Sequence, residues 1–263
     1  MGRRDPFTDE TGRPRVLIGC GISSGAPRMA ELAARVGFDV VWIEMEHAGA
    51  DLATAEAMCV STEAGGAIPL VRSAGYGRQH ILHALEVGAR IVVVPLANDL
   101  SASREVVRHG KFRPLGQRGF NTLSRALTFG ADRTAMARAN EETCLMPQVE
   151  SLEAVKNLDG ILSVEGIGGI FVGPGDLSAD LGRPREFEDP ELQDIVRQCI
   201  ARSRAAGLHA GIYVGEGALL DAALDAGADL CIVGSDMQAA IEVWRRQVSS
   251  LRDKTAAVAP RTT

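Results

Sequence analysis

Short runs of β-branched and aliphatic residues alternate along the chain with longer amphipathic stretches. The runs VLIGCG, DVVWIEM, IPLVRS, RIVVVPLA, TCLMPQVE, IGGIFVGPGD, HAGIYVG and DLCIVGSD read as strands, apolar on both faces as in a sheet buried on both sides. Between them ELAARVG, HALEVG, SRAAG and DAALDAG close helical stretches on glycine, which tolerates the left-handed turn at a helix end. In one such helix Asp189 stands at the cap and Pro190 in the first turn. Leu192, Ile195, Val196, Cys199 and Ile200 share its apolar face, and Gly207 ends it. About eight βα units call for a parallel sheet covered by helices, and eight is the number that closes a (β/α)8 TIM barrel.

Composition does not divide this picture. The 263 residues, 46% of them hydrophobic and 24% charged, hold ample material for one core, and no Pro/Ser linker breaks the chain. We therefore expect a single α/β domain over residues 1–254 and a disordered tail over residues 255–263. Residues 110–121, GKFRPLGQRGFN, read as a long functional loop after the fourth strand. On the last helix Met237, Ile241, Trp244, Val248 and Leu251 alternate spacings of four and three. This narrow seam packs either on the barrel or on a second subunit.

Charge and cysteine usage narrow the partners. A net charge of -6 without a clustered basic stripe argues against nucleic acid and for a small molecule. Five widely spaced cysteines without a CxxC pair read as thiols in a reducing compartment rather than disulfides or a zinc site. The N-terminal stretch MGRRDPFTDETGRPRV has no apolar core of a signal peptide, and Pro6 stands where a myristoylation signal needs Ser or Thr. No apolar run approaches bilayer length. The expected location is cytoplasmic, away from any membrane.

Barrel active sites are built at the C-terminal ends of the strands. There the second strand presents Glu44, Glu46 and His47, the third Arg72, the fifth Gln148 and Glu150, and the sixth Gly173, Pro174, Gly175 and Asp176. Two carboxylates on neighbouring strands, Glu150 and Asp176, with no Cys or His completing a tetrahedral set, suit a hard divalent ion such as Mg or Mn. Taken singly, Glu150 reads equally as a solvated loop carboxylate and Asp176 as a helix cap. Arg72 offers a fixed donor fork for a carboxylate or a developing oxyanion, or else pairs with a neighbouring glutamate. His47 can move protons near neutral pH, or simply cap a turn. His80 and His83 read as surface or packing residues, while His109 and His209 carry no pattern.

The motif order EMEHA, PLVR, VVVPLA, RPLGQRG, PQVES and FVGPGDLSADLG, spread over residues 15–250, resembles the HpcH/HpaI aldolase/citrate lyase family of metal-dependent class II pyruvate aldolases. The resemblance implies a (β/α)8 barrel, often a homohexamer whose last helix swaps between subunits. It implies Glu150 and Asp176 as ligands of a divalent metal ion (Mg, Mn or Co). Pyruvate would chelate that ion, with Arg72, Gln148 and the backbone near Gly175 and Asp176 binding substrate. It further implies His47 as the proton-handling group, with Glu86 as the carboxylate that orients its ring. Family members usually read D-G-E-H where this chain reads Glu44-Met45-Glu46-His47, and Asp where it has Glu86. Each replacement adds a methylene near the proton relay.

The activity implied is a lyase reaction, reversible aldol cleavage of a 4-hydroxy-2-oxo acid to pyruvate and an aldehyde through a metal-bound pyruvate enolate. The aldehyde pocket is expected from residues 21–26, residues 111–121, Tyr213 and a neighbouring subunit. Oxaloacetate decarboxylation on the same site is an alternative, since it passes through the same enolate without a hydroxyl proton. A different class, a nicotinamide-dependent oxidoreductase, would use GCGISSG as a phosphate loop. Its glycine spacing is GxGxxxG rather than GxGxxG. A non-catalytic barrel that binds metal without turnover is a third possibility.

Overall fold

In the computed structural model, which describes residues 5–9 and 11–258, eight parallel strands close into a barrel in the order β1 to β8. They are β1 (Leu17–Ile22), β2 (Val40–Glu44), β3 (Ile68–Arg72), β4 (Ile91–Val94), β5 (Cys144–Val149), β6 (Gly169–Val172), β7 (His209–Tyr213) and β8 (Leu230–Ser235). All eight strand runs read from the sequence are present. The helices are α1 (Pro27–Arg35), α2 (Leu52–Gly65), α3 (Arg78–Glu86), α4 (Leu100–Gly110), α5 (Ala135–Glu142), α6 (Leu152–Lys156), α7 (Leu158–Leu162), α8 (Pro174–Asp180), α9 (Pro190–Ala205), α10 (Ala218–Asp225) and α11 (Asp236–Val258). The fold is the (β/α)8 barrel that eight βα units require.

Side chains alternate across each strand, so residues two apart share a face. Along β2, Val40 and Trp42 point into the barrel and pack with Leu17, Leu70, Met146, Phe171 and Ile232. Val41 and Ile43 point outward, into an apolar layer with the helical residues Ala33, Met58 and Leu85. The inward stripe ends in polar residues at the C-terminal rim, where Glu44 lies beside Arg72 in the β2–β3 register. At the opposite end Phe7, 2% exposed, plugs the barrel floor and stacks on His209 with ring centroids 3.6 Å apart. His209 Nδ1 lies 2.7 Å from Asp229 Oδ2, a pairing that no sequence pattern marks.

Local signals account for the helix ends. The Asp189 carboxylate accepts from Glu191 N at 3.0 Å and Pro190 opens α9, which buries Leu192, Val196, Cys199 and Ile200 as read. Asp51 caps α2 by accepting from Thr54 N at 2.8 Å.

Two expectations are corrected, the place of the long loop and the extent of the tail, and two alternatives are set aside, the phosphate loop and the seam packed on its own barrel. Residues 110–121 follow α4 rather than β4, so they leave the barrel at its N-terminal end. There Lys111, the first residue after α4, lines a cavity with Asp5, Cys144 and His209. The stretch GCGISSG is no phosphate loop, because Gly19 and Gly21 lie within β1 and pair with Val40 and Trp42. The last helix runs to Val258, into the stretch expected to be disordered; residues 259–263 lie outside the described residues. The seam on that helix is not buried on its own barrel: Met237, Ile241, Trp244, Val248 and Leu251 are all exposed. Residues 1–4 and 10, on which part of the N-terminal reading falls, also lie outside the described residues.

Candidate active site

The C-terminal rim brings charged residues of β2, β3, β5 and the β6–α8 turn together. Arg72 is the hub of its β2–β3 side. Its Nε donates to Glu44 Oε2 at 2.8 Å, its Nη2 lies 2.6 Å from the same oxygen, and its Nη1 lies 3.1 Å from Glu46 Oε2. The side chain of Arg72 is 14% exposed, so this fork is held in a partly dry environment where ion pairs are strong. The alternative reading of Arg72, an ion pair with a neighbouring glutamate, is the one seen: the arginine is clamped between Glu44 and Glu46.

Glu44 is the clamp. Its Oε1 accepts from the backbone N–H of Glu46 at 2.7 Å and of His47 at 3.1 Å, while its Oε2 takes Trp42 Nε1 at 3.0 Å as well as Arg72. Burial pushes the Glu44 carboxyl up, but the Arg72 charge and these donors outweigh it and hold the group below the usual carboxylate range. The glutamate in place of the family's usual aspartate thus reaches both the arginine and the turn that carries His47. Met45, in place of glycine, packs on the outer apolar layer. His47 itself is exposed, its Nε2 3.8 Å from Glu46 Oε2.

On the β5–β6 side, Gln148 and Glu150 are buried, at 2% and 8% exposure. Gln148 Nε2 donates to Glu150 Oε2, and Leu96 N donates to Glu150 Oε1 at 3.0 Å. Burial raises the Glu150 carboxyl; these two donors lower it, and the nearby Glu46 and Asp176 carboxylates raise it again. Glu46 is likewise raised by burial, with Arg72 and His47 opposing and Glu44 and Asp176 adding to the rise. Asp176 makes no side-chain cap to α8, so the capping reading does not hold; it faces solvent near the two glutamates. Gly173 lies close against this wall: an added Cβ would come 3.0 Å from Glu150 Cβ and 3.1 Å from Gln148 Nε2, so those side chains would have to give. At Gly175 an added Cβ would meet nothing within 4 Å, so that backbone opens onto free space.

Glu46 and Glu150, whose charged forms are disfavoured by burial with the Asp176 carboxylate adding to it, fit a hard divalent cation, which would neutralise them. Gln148 Oε1 is buried with no hydrogen-bond donor, a further acceptor on the same wall. Among the described residues no three His, Cys, Asp or Glu side chains form a cage by themselves. Glu150 and Asp176 would leave coordination positions for water and substrate oxygens, as Mg and Mn accept and a structural zinc site does not.

Glu86 is not part of this rim within the chain. It ends α3, and a helix that follows a barrel strand runs back toward the N-terminal face. There Glu86 pairs with Arg118 Nη2 at 2.8 Å, and Glu46 is the carboxylate beside His47. Arg118, within residues 111–121, is buried in that pair. His80 and His83 are exposed on α3, as read.

Two residues near the site went unread. Leu96, with φ of 60°, holds a left-handed backbone that only a close constraint sustains in leucine, and this aims its N–H at Glu150. No local sequence signal marks it. Asp236 accepts from Ser23 N at 2.9 Å and from the Ser24 hydroxyl, pinning the β1–α1 loop expected to border the aldehyde. Its sequence signal was the acid at the end of β8.

The family described as HpcH/HpaI aldolase/citrate lyase matches residues 17–243. The 2-keto-3-deoxy-L-rhamnonate aldolase of Klebsiella pneumoniae subsp. pneumoniae is 36% identical over 253 residues, which cover 96% of this chain and 95% of that one. The protein of the same name from Salmonella typhi is 38% identical over 233 residues, 88% of this chain and 87% of its own. Among solved structures, an HpcH/HpaI aldolase/citrate lyase family protein from Burkholderia cenocepacia J2315 superposes with a TM-score of 0.83. It shares 29% identity, over 90% of this chain and 95% of that one.

Proposed function

The chain belongs to the HpcH/HpaI aldolase/citrate lyase family, a carbon–carbon lyase of the aldolase kind, and we propose that it cleaves a 2-keto-3-deoxy sugar acid to pyruvate and a hydroxyaldehyde. Such an acid is a 4-hydroxy-2-oxo acid, the substrate class that aldol cleavage to pyruvate requires. The substrate named for the relatives from Klebsiella and Salmonella supports this choice. The observation that carries the reading is the convergence of Glu46, Glu150 and Asp176 with the clamped Arg72 on one rim.

Glu150 and Asp176 would hold a divalent ion, Mg, Mn or Co. When bound, that ion supplies positive charge beside the substrate's keto oxygen. Arg72, its fork aimed by Glu44 and Glu46, donates to the oxygen that becomes negative as the C3–C4 bond breaks, an interaction strongest in the transition state. Gln148 and the open backbone at Gly175 and Asp176 receive the pyruvate carboxylate. His47 takes the proton of the 4-hydroxyl as C4 becomes the aldehyde carbonyl, and the bonding pair passes to C3, which is then protonated. Glu46, beside the His47 ring, serves the orienting role that Glu86 does not.

Oxaloacetate decarboxylation is the second reading, favoured by one observation: His47 is exposed and lacks the Glu86 partner. That reaction leaves the same enolate and needs no hydroxyl proton. We place the protein in the cytosol, since the five widely spaced cysteines hold no CxxC pair and four of them are buried; among the described residues no helix is long and apolar enough to cross a membrane. We also assign it a homohexamer joined through α11.

Pyruvate release from a panel of 2-keto-3-deoxy acids and from oxaloacetate, by protein stripped with chelator and resupplied with Mg, Mn or Co, tests the reading. Metal-restored release from the hydroxy acids is expected, and His47→Ala should abolish it while sparing oxaloacetate. Turnover of the hydroxy acids by stripped protein would overturn the metal assignment. Aldol cleavage undiminished in His47→Ala would overturn the proton relay.

A further inference from the structure

Arg72 rests on an aromatic side chain that the mechanism above does not use. Trp42 lies two residues before Glu44 on the inward face of β2 and is 3% exposed. Its indole N–H donates to Glu44 Oε2 at 3.0 Å, and that same oxygen accepts Arg72 Nε at 2.8 Å. The ring of the same indole lies against the guanidinium, with Arg72 Cζ 5.4 Å from the ring centroid. One side chain therefore touches the arginine twice, through its π face and through the carboxylate that holds it.

The indole is in turn immobilised. Tyr213 packs on it edge-on at 5.6 Å and Phe171 at 4.9 Å, all three inside the barrel. A glutamate has one more rotatable bond than the aspartate usual at this place in the family, and its terminal torsion is broad. A donor on Oε2 and two backbone donors on Oε1 remove that freedom and fix the carboxylate plane. With a non-donating side chain at position 42 the two backbone donors would still hold Oε1, but Oε2 would keep only Arg72, and nothing outside that pair would set where Oε2 lies.

We propose that Trp42 is a positioning residue for the aldol reaction, setting the direction of the Arg72 fork through Glu44 and through the stacked ring without touching substrate. The proposal rests on the reading of Arg72 as the donor to the enolate oxygen. A role in core packing alone would change stability or the amount of active protein, and neither alters an inhibition constant.

The test compares inhibition of the Mn-loaded enzyme by oxalate, a planar dianion that resembles the enolate of pyruvate, with inhibition by pyruvate itself. In Trp42→Phe, which keeps a ring and removes the N–H, the Ki for oxalate should rise about tenfold, the loss of one charge-assisted hydrogen bond's guidance. The Ki for pyruvate should stay within about twofold, since only the charged oxygen depends on the fork. Trp42→Tyr, a ring without a donor at the indole position, should behave alike and serves if the phenylalanine variant does not fold. Unchanged Ki values in either variant, or an equal rise for both inhibitors, would overturn the positioning role. Arg72→Lys separates the two layers: if it raises the oxalate Ki while Trp42→Phe does not, the Trp42 proposal alone falls. If Arg72→Lys leaves oxalate binding untouched, the reading of Arg72 falls and takes the proposal with it.

Discussion

Glu44 shows how a single methylene can be absorbed by its surroundings. Its two oxygens take three kinds of donor, an indole, a guanidinium and two backbone amides, and so tie strand β2, strand β3 and the His47 turn into one unit. Removing its charge would leave Arg72 partly buried without its principal counter-ion, a loss of about 3 kcal/mol for a broken buried pair. Glu44→Gln should therefore lower the unfolding free energy by about that amount in urea titrations at neutral pH. The pH dependence has a definite sign. Because the folded-state pKa of Glu44 is depressed, its contribution is fully present above the ordinary carboxylate value and is lost as pH falls through the lowered folded value. The gap between wild type and Glu44→Gln should narrow on acidification, and a gap that widens would contradict the pairing. Much of this cluster was legible from residue types at strand ends. The partnership of Trp42 with Glu44 was readable too, from a spacing of two on one strand face. Leu96 was not, because a left-handed leucine is imposed by the tertiary fit around Glu150 and leaves no local mark.

At the scale of elements, the strands were legible because each is a run of β-branched residues bounded by turn residues, and closure by eight of them follows from geometry. The misplacement of Glu86 has a physical reason that the sequence did contain. A helix following a barrel strand points back toward the N-terminal face, so a residue at its last position cannot share a rim with a strand's C-terminal end in the same chain. The segment between α4 and β5 was harder, since its order comes from long-range contacts. Thr128 and Phe129 hold left-handed backbones, and Asn140 bonds both the N–H and the carbonyl of Phe112. Lys111 sits at its root, buried, with Nζ donating to the carbonyls of Asn140 and Thr143 at the end of α5. Burial pushes the Lys111 ammonium down to about 8 from 10.5, with the buried Cys144 opposing and Arg118 adding to the shift. Between those two values the unfolded chain holds more protons than the folded one. The cost of burying the charge is thus complete below about 8 and is relieved as pH rises toward 10.5. Measured against Lys111→Met, wild-type stability should rise across that window by on the order of 2 kcal/mol. A flat difference would mean that the two carbonyls hold the ammonium charged throughout.

The whole molecule separates its tasks by end and by edge: a floor sealed by Phe7, a charged rim at the top, and an apolar helix left uncovered at the side. Helix α11 is 23 residues long, about 35 Å at the rise of an α-helix. It meets its own barrel through β1 and β8. Met237, Ile241, Trp244, Val248 and Leu251 face away from that contact, Trp244 at 63% and Leu251 at 60% exposure. A contiguous apolar stripe of this length is unfavourable in water, which supports the proposed assembly through α11. Its spacing of alternating fours and threes suits a helix from a second copy better than a flat protein surface. Replacing both Trp244 and Val248 by glutamate would place two charges in the middle of that contact. The mass in solution, followed by light scattering, should then fall at least about twofold while the barrel remains folded, because a charge in an apolar interface finds no partner to offset its desolvation. An assembly of unchanged mass would show that the copies meet through another face. A barrel that unfolds on these substitutions would show instead that the exposed seam contributes to the stability of the single chain.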